Sequence, residues 1–279
     1  MKKHNAKNQI VGNWHGKRYH YDDNEKSTFN FLVSRLKFLK ENFGVLGIKQ
    51  SFEDEGAFLS DVVMMRRITD LCQASLYVKI GGCEAITDIN NCVSMGVDYI
   101  IPPMIETEYA FVKFVNAVKN INDIKFYFLC ETQTAFSNLE KILSLTESNV
   151  LEGIIIGRSD FTKSYGLDKS NVDSEFIQEK IRKAFSLAKS KNLKTTMGGN
   201  ISVDSCKFIK DLFENKLIDH FETRNVVVSV NEKNISDLEN TLTQIIQYEI
   251  DCLNFKSINH ANISNAYLDR LNSLQSRIS

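Results

Sequence analysis

Leu151-Glu-Gly-Ile-Ile-Ile-Gly-Arg-Ser-Asp-Phe-Thr162 is the stretch whose reading decides the fold. Its centre, Ile154 to Ile156, is apolar at every position and stops at Gly157, which delivers Arg158 and Asp160 into a loop. An unbroken apolar run reads as a strand buried on both faces, the situation of parallel strands covered by helices. A carboxylate just past the carboxyl end of such a strand stands where α/β enzymes place their chemistry. Lys125-Phe-Tyr-Phe-Leu-Cys130, followed by Glu131-Thr-Gln-Thr134, repeats the design upstream. Glu131 and Asp160 are therefore expected on neighbouring strands, facing one mouth.

Outward from this pair, strands and helices alternate. Strands are predicted over 45–50, 76–80, 98–101, 125–130, the run ending at Ile156, 194–197, and 220–223 with a continuation towards Val230. Helices are predicted over 27–42, 56–72, 84–95, 106–120, 134–145, 173–191 and 203–217, each with apolar residues recurring at three and four. Seven strands are well marked; Gln9–Trp14 is the weaker candidate for an eighth. Regular βα units imply a parallel sheet, and no Gly/Pro/Ser-rich linker divides the chain. The expected fold is α/β, a (β/α)8 TIM barrel with additional N-terminal and C-terminal helices. Residues 1–26 form a polar arm, 27–232 the barrel, and 233–279 a C-terminal helical extension. An open doubly wound sheet is the alternative, and against it no GxGxxG or GxxxxGK[ST] follows any strand.

Bulk composition excludes several functions. The chain has 279 residues, 43% of them hydrophobic and 25% charged, with a formal charge of −1. Nothing in that balance suggests nucleic acid or an anionic membrane as a partner. Residues 1–40 carry nine Lys/Arg against three acids, which leaves 25 against 32 elsewhere; the simplest reading is a solvated basic arm. No window approaches the roughly 20 apolar residues of a membrane span, and no signal-peptide core is present. The six cysteines contain no CxxC pair, so a reducing, cytoplasmic setting is expected.

The strand ends carry a consistent set of groups: Lys49 with Glu53 and Glu55, Lys79 with Gly81, Gly82 and Glu84, Glu106, Glu131 with Gln133, Arg158 with Ser159 and Asp160, and Glu222 with Arg224. Most could be solvated loop residues. Lys49, Lys79 and Glu131 directly follow apolar strand residues, where an unpaired charge costs several kcal/mol, so they are expected to be paired or liganded. Two carboxylates with open positions around them suit Mg2+ or Mn2+. The bases imply an anionic substrate, carboxylate or phosphate, because Arg forks onto either. The glycine pairs 81–82 and 198–199 either offer backbone N–H groups to that anion or simply make tight turns. A Schiff base on Lys79 or Lys49 is disfavoured, because neighbouring carboxylates keep a lysine protonated. Cys130 is mid-strand with no histidine expected beside it, which argues against a Cys–His nucleophile.

At these residues the chain resembles the HpcH/HpaI aldolase and citrate lyase β family of metal-dependent barrels. The matching segments are Val78-Lys-Ile-Gly-Gly-Cys-Glu-Ala85, Ile100-Ile-Pro-Pro-Met-Ile-Glu-Thr107, Cys130-Glu-Thr-Gln-Thr-Ala135 with Asn138-Leu-Glu-Lys-Ile-Leu143, and Gly153 through Leu167. The resemblance implies the divalent metal on Glu131 and Asp160, a 2-oxo acid, a pyruvate-like enolate and a homo-oligomer. It also has departures. Lys79 replaces the family's Arg, Arg158 stands where Pro is usual, Leu129 replaces a Gln, and Phe52-Glu-Asp-Glu-Gly56 lacks the family's Glu-His.

The combined expectation is a metal-dependent carbon–carbon lyase of aldolase type. Lys79 and Arg158 hold anionic oxygens, and Glu53 or Glu55 moves the proton. Lys49, Gly81, Gly82, Glu84, Glu106, Gln133, Ser159 and Arg224 line the substrate. A phosphoenolpyruvate-like substrate on the same barrel, or a non-catalytic oligomeric binding protein, are the alternatives.

Overall fold

A computed structural model of the chain describes residues 11–14, 17–20, 25–52, 56–259 and 264–278. After a two-stranded hairpin, β1 (Val11–Trp14) and β2 (Lys17–His20), and helix α1 (Glu25–Phe43), the barrel begins. It runs β3 (Val45–Ser51), α2 (Leu59–Cys72), β4 (Ser75–Lys79), α3 (Ile86–Met95), β5 (Tyr99–Ile101), α4 (Glu108–Val118), β6 (Lys125–Cys130) and α5 (Gln133–Leu143). There follow β7 (Leu151–Gly157), the short α6 (Arg158–Ser164), α7 (Glu175–Ser190), β8 (Lys194–Gly198), α8 (Cys206–Glu214) and β9 (His220–Glu222). The last elements are β10 (Val226–Ser229), α9 (Glu232–Ile235), α10 (Leu238–Asn259) and α11 (Ser264–Gln275).

Eight strands, β3 to β10, close into a barrel. The expected order of βα units holds through β9. Two expectations are corrected. The stretch towards Trp14 supplies no barrel strand, since among the described residues β1 pairs with β2 alone. The run from His220 to Val230 is not one strand. It turns back at Thr223-Arg224-Asn225, and β10 closes the barrel antiparallel to both β9 and β3. The turn is pinned by Glu249 of α10, fully buried, which accepts from the Thr223 hydroxyl at 2.6 Å and from the Asn225 N–H.

Side chains alternate across each strand. One set packs outward against the helices, with Val78, Ile100, Phe128, Cys130, Ile154 and Ile156 among its members. The other fills the barrel with Tyr77, Tyr99, Tyr127, Ile101, Leu129, Ile155 and Val227. At its base Tyr77 and Tyr99 stack with ring centroids 4.2 Å apart. The same alternation continues upward, so Lys79 follows Tyr77, and Glu131 follows Tyr127 and Leu129, onto the inner face. This parity puts charges inside the mouth.

Because β10 runs from mouth to base, the helix after it runs the opposite way from its counterparts. Asn234 of α9 donates to the Phe43 carbonyl at the base, whereas Lys256, near the end of α10, donates to the Gln50 side chain at 2.8 Å, near the top of β3. Helix α11 then packs on α10 and sends Arg270 into the mouth; Arg277, just beyond it, also lines the mouth.

Candidate active site

The mouth encloses about 190 Å³. Glu131 sits at its floor, 3% exposed. Its carboxylate accepts from Lys79 Nζ at 3.1 Å and from the Met104 backbone N–H at 3.1 Å. Met104 follows Pro102-Pro103 with φ +54°, a left-handed conformation uncommon outside glycine and Asn/Asp, and this conformation belongs to the backbone whose N–H reaches Glu131. Burial pushes the Glu131 carboxyl above its ordinary range. Lys79 and the Met104 N–H draw it back, and the nearby Asp160 carboxylate pushes it up again. Asp160 lines the same cavity from α6, with Lys163 Nζ 3.4 Å away.

Opposite them, Lys49 of β3 forms an ion pair with Glu222 of β9. Both are largely buried, and Gly198 leaves the room they need: a Cβ there would lie 2.8 Å from Glu222 Cγ and Oε1. Strand β8 thus passes Glu222 without a side chain between. Gly199, at φ +82°, lets its turn approach the start of α6, where a Cβ would lie 2.5 Å from the Ser159 nitrogen.

The structure brings together Glu131, Asp160, Lys79, Lys49, Ser159 and Arg224 around one cavity. It sets others apart. Arg158 does not face the mouth. Its guanidinium is fully buried, bound to the Asp173 carboxylate, to Ser205 Oγ at 2.9 Å and to the carbonyls of Gly198 and Gly199 at 3.3 and 3.2 Å. Burial lowers its pKa against the pull of Asp173. As the first residue of α6 it turns back under the loop and ties the end of β7 to the turn after β8. Gly81 and Gly82 also lie off the cavity, and the Gly81 N–H is taken by Asp88 at 2.8 Å. Glu84 pairs with Lys113 on the surface at 2.8 Å. Glu106 accepts from Thr132 and, through its carbonyl, from Asn138, which fastens the loop ahead of α5. Gln133 begins α5, and its N–H goes to Ser164. Glu53 and Glu55 lie outside the described residues. Phe52, the last described residue before them, donates its N–H to the Lys79 carbonyl.

The other nucleophile candidates are closed off. Cys130 is fully buried on the outer face of β6, and burial pushes its thiol far up. His220 is held neutral, its pKa lowered by burial to about 4, with Thr196 Oγ1 3.4 Å away.

Sequence reading missed Lys163, Lys169, Arg270 and Arg277 as cavity residues. The two arginines come from a segment with no local motif, joined to the mouth only by tertiary packing.

The model of the HpcH/HpaI aldolase/citrate lyase family matches residues 61–199, from α2 through the β8 turn. The barrel carries an HpcH/HpaI aldolase/citrate lyase domain. Solved structures of similar shape include a variant of the citrate synthase SbnG, 13% identical with a TM-score of 0.54, which covers 81% of this chain and 91% of its own. An HpcH/HpaI aldolase/citrate lyase family protein from Burkholderia cenocepacia J2315 is 10% identical with a TM-score of 0.56, at the same coverage. The HpcH/HpaI aldolase of Desulfitobacterium hafniense DCB-2 is 9% identical with a TM-score of 0.55, covering 81% of this chain and 90% of its own. At these identities the likeness is one of fold. No curated protein sequence matches the chain. Glu131 and Asp160, which line one mouth, both fall within the matched residues.

Among the described residues no helix is long and apolar enough to cross a membrane, and no group of three or more His, Cys, Asp or Glu side chains is arranged to enclose a metal. Two carboxylates, one of them desolvated and opposed in its ionisation by the charge of the other, nevertheless form a donor set that fits a hard divalent cation. Glu131 and Asp160 would hold it, and water or substrate oxygens would fill the remaining positions.

Proposed function

We propose that the protein is a divalent-metal-dependent carbon–carbon lyase of aldolase type, acting on a 2-oxo acid through a pyruvate-like enolate. The observation that carries this reading is the placement of Glu131 and Asp160 on one mouth, with Lys79 seated on Glu131. Bound there, Mg2+ or Mn2+ supplies electrophilic polarisation and a counter-charge for the developing anion. Lys79 offers a cation at the inner wall for a substrate oxygen, with its ammonium oriented by Glu131. Lys49, held by Glu222, presents a second positive group across the mouth. Ser159 and Arg224 contribute polar contacts. Glu53 or Glu55, on the loop after β3, is assigned the proton transfer that the family gives to its missing histidine. Arg158 supports the site through the β7–β8 connection and touches no substrate.

A homo-oligomer in a reducing, cytoplasmic compartment belongs to the same reading, and the six free cysteines support the compartment. The test is methyl proton exchange of pyruvate in D2O, followed by NMR with Mg2+ present. Exchange that disappears in Glu131→Gln and Asp160→Asn, with Mn2+ binding lost by calorimetry, is the expected result. Bound metal without exchange over hours would remove the enolate chemistry and leave a binding protein.

A further inference from the structure

We propose that Ser51 is a positioning residue for Lys79: when the Glu131 carboxylate is engaged by a divalent cation, the Lys79 ammonium leaves it and is held by the Ser51 hydroxyl. This rests on the metal site of the proposed lyase reading and assigns a role to a side chain to which that reading gives none.

Both oxygens of Glu131 are already taken. Oε1 accepts from the Met104 N–H and Oε2 from Lys79 Nζ, each at 3.1 Å. A cation on this carboxylate meets an ammonium already in place, and like charges at hydrogen-bond range repel. The Met104 N–H is a neutral donor fixed in the backbone, whereas Lys79 carries its charge on a flexible stem. It is the lysine that yields.

Its new partner has to lie within the sweep of that stem. In the barrel register Lys79 stands beside Ser51 of β3 and Ile101 of β5, and all three line the cavity. Ile101 has no acceptor in its side chain. Ser51 has one: the residue is 3% exposed, and its Oγ has no hydrogen-bond partner among the described residues. A hydroxyl withdrawn from water without a partner opposes folding. A buried one beside a lysine is accounted for by a state in which that lysine turns to it. The backbone holds the hydroxyl at this level. The Ser51 carbonyl accepts from the Ala57 N–H at 3.3 Å, and Phe52 donates to the Lys79 carbonyl at 3.1 Å. Gln50 faces the other way, where it accepts from Lys256 of α10 at 2.8 Å. Glu131 thus orients Lys79 while its carboxylate is free of a cation, and Ser51 does so once it is engaged. In that position the ammonium keeps two further donors for a substrate oxygen.

The test is a double-mutant cycle on the full chain, read by thermal unfolding and by calorimetry with Mn2+. Without metal, Ser51→Ala is expected to leave Tm within about 1 °C of the parent, or to raise it, because the hydroxyl it removes is unpaired. The same variant should bind Mn2+ about tenfold more weakly, the loss of one hydrogen bond to a charged group. In a Lys79→Met background no ammonium has to be placed, so Ser51→Ala should change the Mn2+ affinity by less than about twofold. Lys79→Gln, which also lacks the ammonium, replaces Lys79→Met if circular dichroism shows the latter unfolded. Unchanged Mn2+ affinity in Ser51→Ala overturns the proposal, as does an equal loss in both backgrounds. A Tm lowered by several degrees without metal overturns it too, since the hydroxyl would then already be part of the scaffold. So does a parent that binds no Mn2+. Because pyruvate exchange is read separately, Mn2+ binding with this Ser51 dependence but no exchange would remove the enolate chemistry and retain the transfer of Lys79.

Discussion

The inner ring and the outer rim of the same mouth are built on opposite principles. The inner ring pairs every charge: Lys79 with Glu131 and Lys49 with Glu222, each on a strand, each screened from water. The outer rim gathers unlike segments that share one sign, Lys169 and Arg277 among them. Burial explains the division. A strand-borne charge between apolar neighbours must be neutralised to exist at all, because the desolvation penalty reaches several kcal/mol. Charges on turns and helix ends keep part of their hydration and are less dependent on a buried partner. The first arrangement neutralises each charge within the scaffold; the second gathers cations of the described residues near the opening.

This contrast can be broken at several depths. Glu131→Gln is expected to have the largest effect, lowering exchange activity about a thousandfold, close to 4 kcal/mol, if the carboxylate holds the cation that stabilises the enolate. Activity within a few-fold of the parent would sink that assignment. Lys79→Met should destabilise the fold by about 3 kcal/mol at pH 8, since it strands a buried carboxylate. The loss should shrink at pH 5. The Glu131 pKa is already raised by burial and rises further without Lys79, so the native state binds the extra proton and stability falls as pH climbs through that window. Urea denaturation at both pH values gives the comparison, and equal losses would mean that Glu131 stays ionised throughout.

Arg158→Lys comes next. Losing the fork to Asp173 and Ser205 should cost about 2 kcal/mol of stability, visible as a lower Tm, while Mn2+ affinity barely changes. Unchanged Tm with a raised KM would return Arg158 to the substrate. Gly198→Ala drives a Cβ against Glu222 and should cost about 1–2 kcal/mol by forcing the Lys49 pair to shift; a neutral result would show that the inner ring is looser than its contacts suggest. Lys169→Gln should move stability least, and upward, by no more than about 0.5 kcal/mol as cationic repulsion is relieved. A clear drop in Tm would make Lys169 part of the inner, paired set.

Much of the barrel was legible because each parallel strand is apolar throughout and each helix repeats at three and four. The inner charges were legible by parity: Lys49, Lys79 and Glu131 had to be paired, and they are. The reversal at Thr223-Arg224-Asn225 was not legible. Val226 to Ser229 reads as an apolar strand in either direction, and the turn contains neither glycine nor proline. Arg158 misled because it stands only two positions before Asp160, yet a helix begins at that point and rotates the two side chains apart by about 200°. Arg270 and Arg277 reach the cavity through packing of α11 on α10, for which a local pattern holds no signal.

The reversed eighth strand changes the wiring of the molecule. One extra reversal inverts the sense of everything downstream, so α10 climbs where its counterparts descend, and the segment that follows arrives at the mouth of the barrel. The residues that line the mouth therefore include ones encoded after all those that close the scaffold. Replacing residues 264–278 alone could retune what the mouth accepts while every barrel strand keeps its partner. The fold separates, along the chain itself, the part that must be kept to stand from the part that is free to diverge.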